Sequence, residues 1–306
     1  MNITLNPDGP LDVRATLARY RIWGEDPANR VAGEEFRRVL RRDGQLVPYT
    51  VRSRGTVDQP RLEIEAPEPD LDDVAAAIVR EVRTVFGLDF DLPGFYRMAK
   101  ADPVLSGLIE PLYGLRPTLA PSGLEMLVGS ICAQQVNLTF AFALRARLVR
   151  RYGERVTIGD DAVWAFPEPG VLARARVSAL RTMQFSQTKA LAIRGVADAI
   201  ASGALDLEAL GRAADGEIIA RLTALHGVGR WTVDWYLARC LGRGSACAAG
   251  DLGVRKAVAR YYGRGRMASE GAIRRRVRAW GAYQNLAIHY LLAGLRMERA
   301  STGGGS

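Results

Sequence analysis

The sequence predicts an α+β domain over residues 1–90, an antiparallel sheet with two helices, followed by an all-α unit over residues 91–300. Three observations lead there. Runs with strand periodicity end near residue 66, and beyond Leu92 apolar residues recur at helical spacing between Ser, Asn and Asp caps. The charge is also divided: residues 1–100 carry 15 Lys+Arg against 17 Asp+Glu, a net of −2, whereas residues 101–306 carry 27 against 16, a net of +11. All but three of the basic residues are Arg; a compositional preference explains Arg over Lys but not this asymmetry. The basic excess therefore points to a polyanion, such as nucleic acid, meeting the second part.

In order along the chain, residues 1–6 (MNITLN) read as a strand and residues 11–22 as an amphipathic helix after Pro10. Residues 31–40, 45–53 and 61–66 read as strands with charged outer faces, separated by Asp43-Gly44 and by the turn at 55–60. Asp70-Leu71-Asp72-Asp73 opens a helix running to about Phe86, with acids in its first turn. From Leu92 strand signals vanish. Short helices are expected at 94–100 and 103–112, and one at 122–136 with a capping box of Ser122 and Glu125. Asn137 caps 138–152, the stretch 166–169 is a loop, and Ser186 caps 187–200. Helices at 207–211, 215–225, 251–262, 270–280 and 283–295 follow, and STGGGS at 301–306 is a flexible tail.

Composition narrows the function classes. With 48% hydrophobic and 25% charged residues the chain is ordinary globular protein. No apolar run reaches the roughly 18 residues of a membrane span, and the N-terminus is no signal peptide. Cys132, Cys240 and Cys247 have no disulfide or metal spacing, and His226 and His289 complete no zinc motif, so a cytoplasmic protein without a zinc site is expected.

The most informative stretch is residues 222–262, LTALHGVGRWTVDWYLARCLGRGSACAAGDLGVRKAVARYY. A helix ends at Leu225, His226-Gly227-Val228-Gly229 makes a tight turn, and a helix restarts at Arg230, giving a hairpin over about 215–241. Such a turn leaves the backbone N–H groups of Gly227, Gly229, Arg230, Trp231 and Thr232 facing outward at a positive helix end, where they can hold a phosphate. A second loop, Gly244 to Gly250, ends in Asp251, which opens the next helix and by itself reads equally as its cap or as a catalytic acid.

These residues resemble the helix-hairpin-helix DNA glycosylases, and the likeness to the alkylbase (3-methyladenine II, AlkA-type) branch extends over about 280 residues. The resemblance implies a small TATA-binding-protein-like domain at the N-terminus and assigns the catalytic position to Asp251. It implies hydrolysis of the N-glycosidic bond of alkylated purines in duplex DNA, with the base flipped out and an abasic site left. Bifunctional members carry a lysine where this chain has Trp231, so water rather than an enzyme amine is the expected nucleophile, without lyase activity. Trp231, Trp235 and Tyr283, which stands where tryptophan is expected, fall where the branch lines its base pocket; Tyr20, or Arg19 beside it, falls where the N-terminal domain would add a wall. Gln135, with Gln134, falls on the wedge that fills the gap left by the flipped nucleotide, and Arg255 adds a phosphate contact. The carbonyls of Thr223, Leu225 and Val228 match the positions that hold a monovalent cation, Na+ or K+, against the DNA backbone. No cysteine follows Cys247, so the iron–sulfur cluster of some members is not expected, nor is any required cofactor. A monomer acting on damaged double-stranded DNA, with no membrane partner, is the expected form. Two other readings remain open from the residues alone: a related glycosylase for oxidised or deaminated bases such as hypoxanthine, and a non-catalytic lesion-sensing DNA-binding protein.

Overall fold

The computed structural model describes residues 1–67 and 72–303. In the N-terminal unit, β1 (Asn2–Leu5) leads to two short helices, α1 (Val13–Thr16) and α2 (Arg19–Ile22), then β2 (Arg30–Ala32), β3 (Glu35–Arg42), β4 (Gln45–Gly55), β5 (Pro60–Glu65) and α3 (Asp72–Val85). Among the described residues the strands form a five-stranded antiparallel sheet in the order β1-β5-β4-β3-β2. Alternation places Phe36, Tyr49, Val51, Leu62 and Ile64 on the face that α3 covers with Ile78, Val82 and Val85. Arg38 lies on that covered face and is buried, whereas Arg37, Arg41, Arg52, Glu63 and Glu65 stay outside. Two expectations need correction. The single strand at 31–40 is two, because Gly33 takes a positive φ of 58° and turns the chain so that Ala32 pairs with Glu35. The helix at 11–22 is broken between Thr16 and Arg19. The expected start of the last helix at Asp70 and Leu71 lies outside the described residues.

The helical part builds two cores. The first collects α6 (Gly123–Ala133), α7 (Leu138–Tyr152), α8 (Pro169–Ala173), α9 (Val177–Thr182), α10 (Gln187–Ala201), α11 (Leu207–Gly211), α12 (Asp215–Thr223) and α13 (Arg230–Arg239). The second collects α4 (Leu92–Ala99), α5 (Pro103–Ile109), α14 (Leu252–Tyr261), α15 (Glu270–Val277), a 3-10 turn (Arg278–Tyr283) and α16 (Gln284–Gly303). Trp235 packs against both, so the boundary between the lobes runs through it.

Strand does not vanish after Leu92. β6 (Glu154–Ile158) and β7 (Asp161–Ala165) form a hairpin around Gly159, at φ 58°. Its Val163 and Ala165 rest on Val39 of β3, a long-range apolar contact that periodicity cannot foresee. The helices α8 and α9 were also not anticipated. The helix expected over 122–136 stops at Ala133, because Gln135 adopts a left-handed φ of 55°. The one expected over 270–280 ends at Val277, and a non-helical Gly281 interrupts the 3-10 turn after it. The last helix reaches Gly303 rather than ending at 295, drawn along α14 by the Arg260–Glu298 pair at 2.8 Å; residues 304–306 of the expected tail lie outside the described residues.

The sheet is fastened to the first helical lobe by a buried ionic network. Arg145 of α7 bonds Asp26 and Glu125, each at 2.9 Å, and Arg38 of β3 bonds Glu81 at 2.9 Å and also Glu125. Burial alone would raise the Asp26 carboxyl; the Arg145 charge and the bonds donated by Asn29, Arg145 and Ala28 outweigh it and hold the pKa below the usual value. Removing one partner strands the others without compensation. Arg145→Met should therefore cost about 3–5 kcal/mol in denaturant unfolding. Since the folded Asp26 pKa lies below its unfolded value, its contribution is complete above the ordinary Asp range and is lost as pH falls through the folded value. Melting temperature should accordingly hold above about pH 5 and drop below about pH 4, measured by circular dichroism across that range.

Candidate active site

Asp251 is the N-cap of α14, and its carboxylate does two things. Oδ1 accepts from the Val254 N–H at 3.0 Å, the capping bond. Oδ2 accepts from Trp231 Nε1 at 2.9 Å and from Trp235 Nε1 at 3.3 Å. Trp231 and Trp235 are one helical turn apart on α13, so their indoles leave the same side of that helix and converge on one oxygen. The residue remains partly open to solvent. Cap and candidate acid, alternatives in the sequence, are two oxygens of one group.

α13 is held against the second lobe by buried polar contacts. Asp234, itself buried, accepts from Arg230 at 2.8 Å and from Arg274 of α15 at 2.5 Å. Asn285 donates through Nδ2 to the carbonyls of Ala238 (3.0 Å) and Arg243 (3.1 Å), and its N–H meets Gly244 O at 2.9 Å. Sequence reading missed Asp234 and Asn285. Their signal was polar residues inside apolar helices, which is also the signal of an ordinary exposed position.

The hairpin turn has the geometry of an anion seat. Gly229 occupies the N-cap of α13 with no side-chain cap, whereas Ser122, Asn137, Ser186, Asp251 and Ser269 all cap their helices. The first-turn N–H groups of α13 are thus left available. Gly227 has φ +78°, and a Cβ there would lie 2.5 Å from the Ala192 Cβ, so close packing of the turn on α10 also demands glycine. The Leu225 carbonyl accepts from Val228 N at 3.1 Å, and no backbone bond among the described residues takes up the carbonyls of Thr223 and Val228. Three neutral oxygens suit a hard monovalent cation.

Gln134 and Gln135 separate in role. Gln134, expected at the DNA surface, instead donates through Nε2 to Gly227 O at 2.9 Å and Thr232 Oγ1 at 3.2 Å, tying the turn after α6 to the hairpin. Gln135 is exposed, at the tip of that turn, in its left-handed conformation. The Thr232 side chain is buried, leaving only its backbone for a ligand. Arg255 is half-buried with Nε on Ala268 O at 3.3 Å.

Two further expected wall residues differ in access. Tyr20 is 9% exposed in the N-terminal core, beside Phe36 and beneath the Arg19 guanidinium, so its ring is closed to a base. Tyr283 donates to Asp91 Oδ2 at 2.8 Å and tilts against Phe95 of α4. That bond raises the Tyr283 pKa, while the Gly94 N–H and the Tyr283 hydroxyl lower that of Asp91. Neither bond links Tyr283 to Asp251 or the indoles.

A family model described as "HhH-GPD superfamily base excision DNA repair protein" matches residues 128–282, from α6 to the 3-10 turn. The chain belongs to that family. It is 31% identical over 214 residues to the DNA-3-methyladenine glycosylase of Bacillus subtilis, covering 70% of this chain and 71% of the relative. The 3-methyladenine DNA-glycosylase of Archaeoglobus fulgidus superposes with a TM-score of 0.87 at 26% identity, over 96% of this chain and 98% of that one. The 8-oxoguanine glycosylase/lyase of Clostridium acetobutylicum, solved with double-stranded DNA, shares the fold at a TM-score of 0.76 and 16% identity, over 97% and 98% of the two chains. The protein is thus a helix-hairpin-helix DNA glycosylase of the AlkA type. Its N-terminal sheet and helical unit are the architecture expected from the sequence, and no helix among the described residues is long and apolar enough to cross a membrane.

The indole bonds to Asp251 are testable apart from the aromatic faces. Trp231→Phe keeps a ring but removes the 2.9 Å donor. A hydrogen bond to a charged group contributes about 1.5–3 kcal/mol, so base release under single-turnover conditions should slow by about 10- to 100-fold with DNA affinity retained.

Proposed function

We propose that this protein hydrolyses the N-glycosidic bond of alkylated purines in duplex DNA, with water as nucleophile and Asp251 as the essential carboxylate. The observation that carries this reading is the Asp251 Oδ2, fixed by two indole N–H groups beside an uncapped helix start. The names of the Bacillus subtilis and Archaeoglobus fulgidus relatives support the substrate class.

The backbone N–H groups at the start of α13 hold a DNA phosphate, and the carbonyls of Thr223, Leu225 and Val228 would hold a monovalent cation that supplies further positive charge to the DNA backbone. Exposed Gln135 enters the space of the displaced nucleotide, which unstacks the base and lets it rotate outward. The Trp231 ring offers a π-face to a cationic alkylpurine, a contact of about 0.5–2 kcal/mol. As the C1′–N bond breaks, positive charge spreads over C1′ and the ring oxygen, and the Asp251 carboxylate stabilises it. Water then bonds to C1′ and yields its proton towards Asp251, leaving an abasic site.

The placement of the amines supports a reaction without lyase chemistry. Lyase action needs an amine at C1′, yet Trp231 stands after the hairpin. Lys189 is buried with Nζ on Cys132 O at 2.9 Å, and Lys256 lies on α14 beyond Asp251, exposed. Cutting of the strand by the purified protein, or its covalent trapping on DNA by borohydride, would sink the monofunctional assignment.

The deciding measurement is release of 3-methyladenine and 7-methylguanine from methylated duplex DNA by wild type and Asp251→Asn, with DNA affinity in parallel. Asn caps helices as well as Asp does, so the variant keeps α14 while losing the charge. Release should fall by about 10²–10³-fold, the scale of one strong electrostatic group, while binding persists. Equal release by both proteins would remove Asp251 from this role.

A further inference from the structure

The turn that carries Gln135 is held from two sides. α6 ends at Ala133; Gln134 leaves helical geometry with ψ 126°, and Gln135 takes its left-handed φ of 55°. Asn137 then caps α7, accepting from Phe140 N at 2.8 Å. A left-handed glutamine is unfavourable by itself and persists only where the surroundings fix it. Gln134 Nε2 fixes one side, donating to Gly227 O at 2.9 Å and to Thr232 Oγ1 at 3.2 Å. Lys189 fixes the other, with Nζ on Cys132 O at 2.9 Å in the last turn of α6.

Lys189 is 8% exposed, and no carboxylate among the described residues pairs with it. A buried ammonium is costly, and an apolar side chain would fill the same space without that cost. What the charge adds is a hold on the carbonyl end of α6, where a cation is favoured.

Lys189 and Ala192 are three apart on α10 and therefore share a face. Ala192 is the residue on which Gly227 packs so closely that a Cβ there would lie 2.5 Å from the Ala192 Cβ. One face of α10 thus braces the end of α6 through Lys189 and the hairpin turn through Ala192, and Gln134 closes the triangle between them. α6 itself packs against both α10 and α13. Asp251 takes its bonds from Trp231, Trp235 and Val254, and none from Gln134 or Lys189.

We propose that Gln134 and Lys189 are positioning residues for base flipping, locking the turn that carries Gln135 to the hairpin that seats the phosphate. A phosphate held at the start of α13 then sets Gln135 at one height and register in the duplex. The proposal rests on the reading of the hairpin as phosphate seat and of Gln135 as the residue that enters the duplex. Flipping costs the pairing and stacking of the base, and a side chain entering the gap offsets that cost only where it is held in place. The expected defect therefore falls on displacement of the base rather than on cleavage of its bond.

The test compares the full chain with Gln134→Met, Lys189→Met and Lys189→Arg under single-turnover conditions. The duplexes carry 7-methylguanine opposite cytosine or opposite an abasic analogue, with 2-aminopurine beside the lesion to report unstacking. A lesion without a pairing partner is cheaper to displace. With the paired lesion, both methionine variants should slow the fluorescence rise and base release by about tenfold, the scale of one ordinary hydrogen bond. With the unpaired lesion the change should stay below about twofold, and Lys189→Arg should restore most of the paired rate. A role confined to stability would slow both duplexes alike. Equal slowing on both, or none on either, overturns the proposal. If Lys189→Met fails to fold, Gln134→Met at its half-buried position decides. A wild type that unstacks the neighbour but releases no base removes the Asp251 reading, and the fluorescence of the variants then decides this one. A wild type that does neither overturns both.

Discussion

The arrangement of the units depends on buried charge compensated across their boundaries. Arg38 and Arg145 are drawn from the sheet and from α7, and their carboxylates come from the loop before β2, from α3 and from α6. Arg116 plays a similar part without any acid. Fully buried, its guanidinium donates to the carbonyls of Asp8, Pro10, Gly87, Leu88 and Phe90 at 2.8–3.2 Å, gathering the loop after β1 and the exit from α3 around the entry to the helical lobes. A guanidinium suits this role because its planar fork satisfies several acceptors at once. Such networks are expensive to assemble and more expensive to break, so they make relative displacement of the units costly.

Among the described residues Arg239 is a second buried guanidinium without an acid. Its donors are partly used, by Asn285, Ala238 and His289, but its charge is unanswered. Like Arg116 it is a buried guanidinium without a carboxylate, here over the ring of Trp235, which also donates to Asp251.

Helix ends show a parallel contrast. Ser122, Asn137, Ser186 and Ser269 spend their side chains closing helix starts, and Asp251 spends only one oxygen that way. Gly229 spends nothing. The starts of α2, α8, α9 and α12 also have no side-chain cap; at α13 the open end lies on the hairpin turn, where an outside acceptor can take its N–H groups.

The sequence by itself determined the two-part architecture, the hairpin and the capping role of Asp251, because these rest on local rules: strand alternation, capping residues, and glycines where the backbone turns left or packs closely. It also determined that Trp231 and Trp235 share a helix face, since a spacing of four allows little else. It did not reveal the hairpin of β6 and β7, which needs the apolar surface of Val39 from more than a hundred residues away. Nor did it place Tyr20, whose ring is as suited to a pocket wall as to a core; the packing of Phe36 decided for the core. Gln134 and Gln135 are identical in sequence terms, and only the left-handed turn at Gln135 sends one outward and the other into the hairpin. Arg38, Arg145 and their carboxylates lie far apart in the chain, so their pairing exists only once the units meet. Charge pairing is a property of space rather than of order along the chain, and that is why it was left to the tertiary structure.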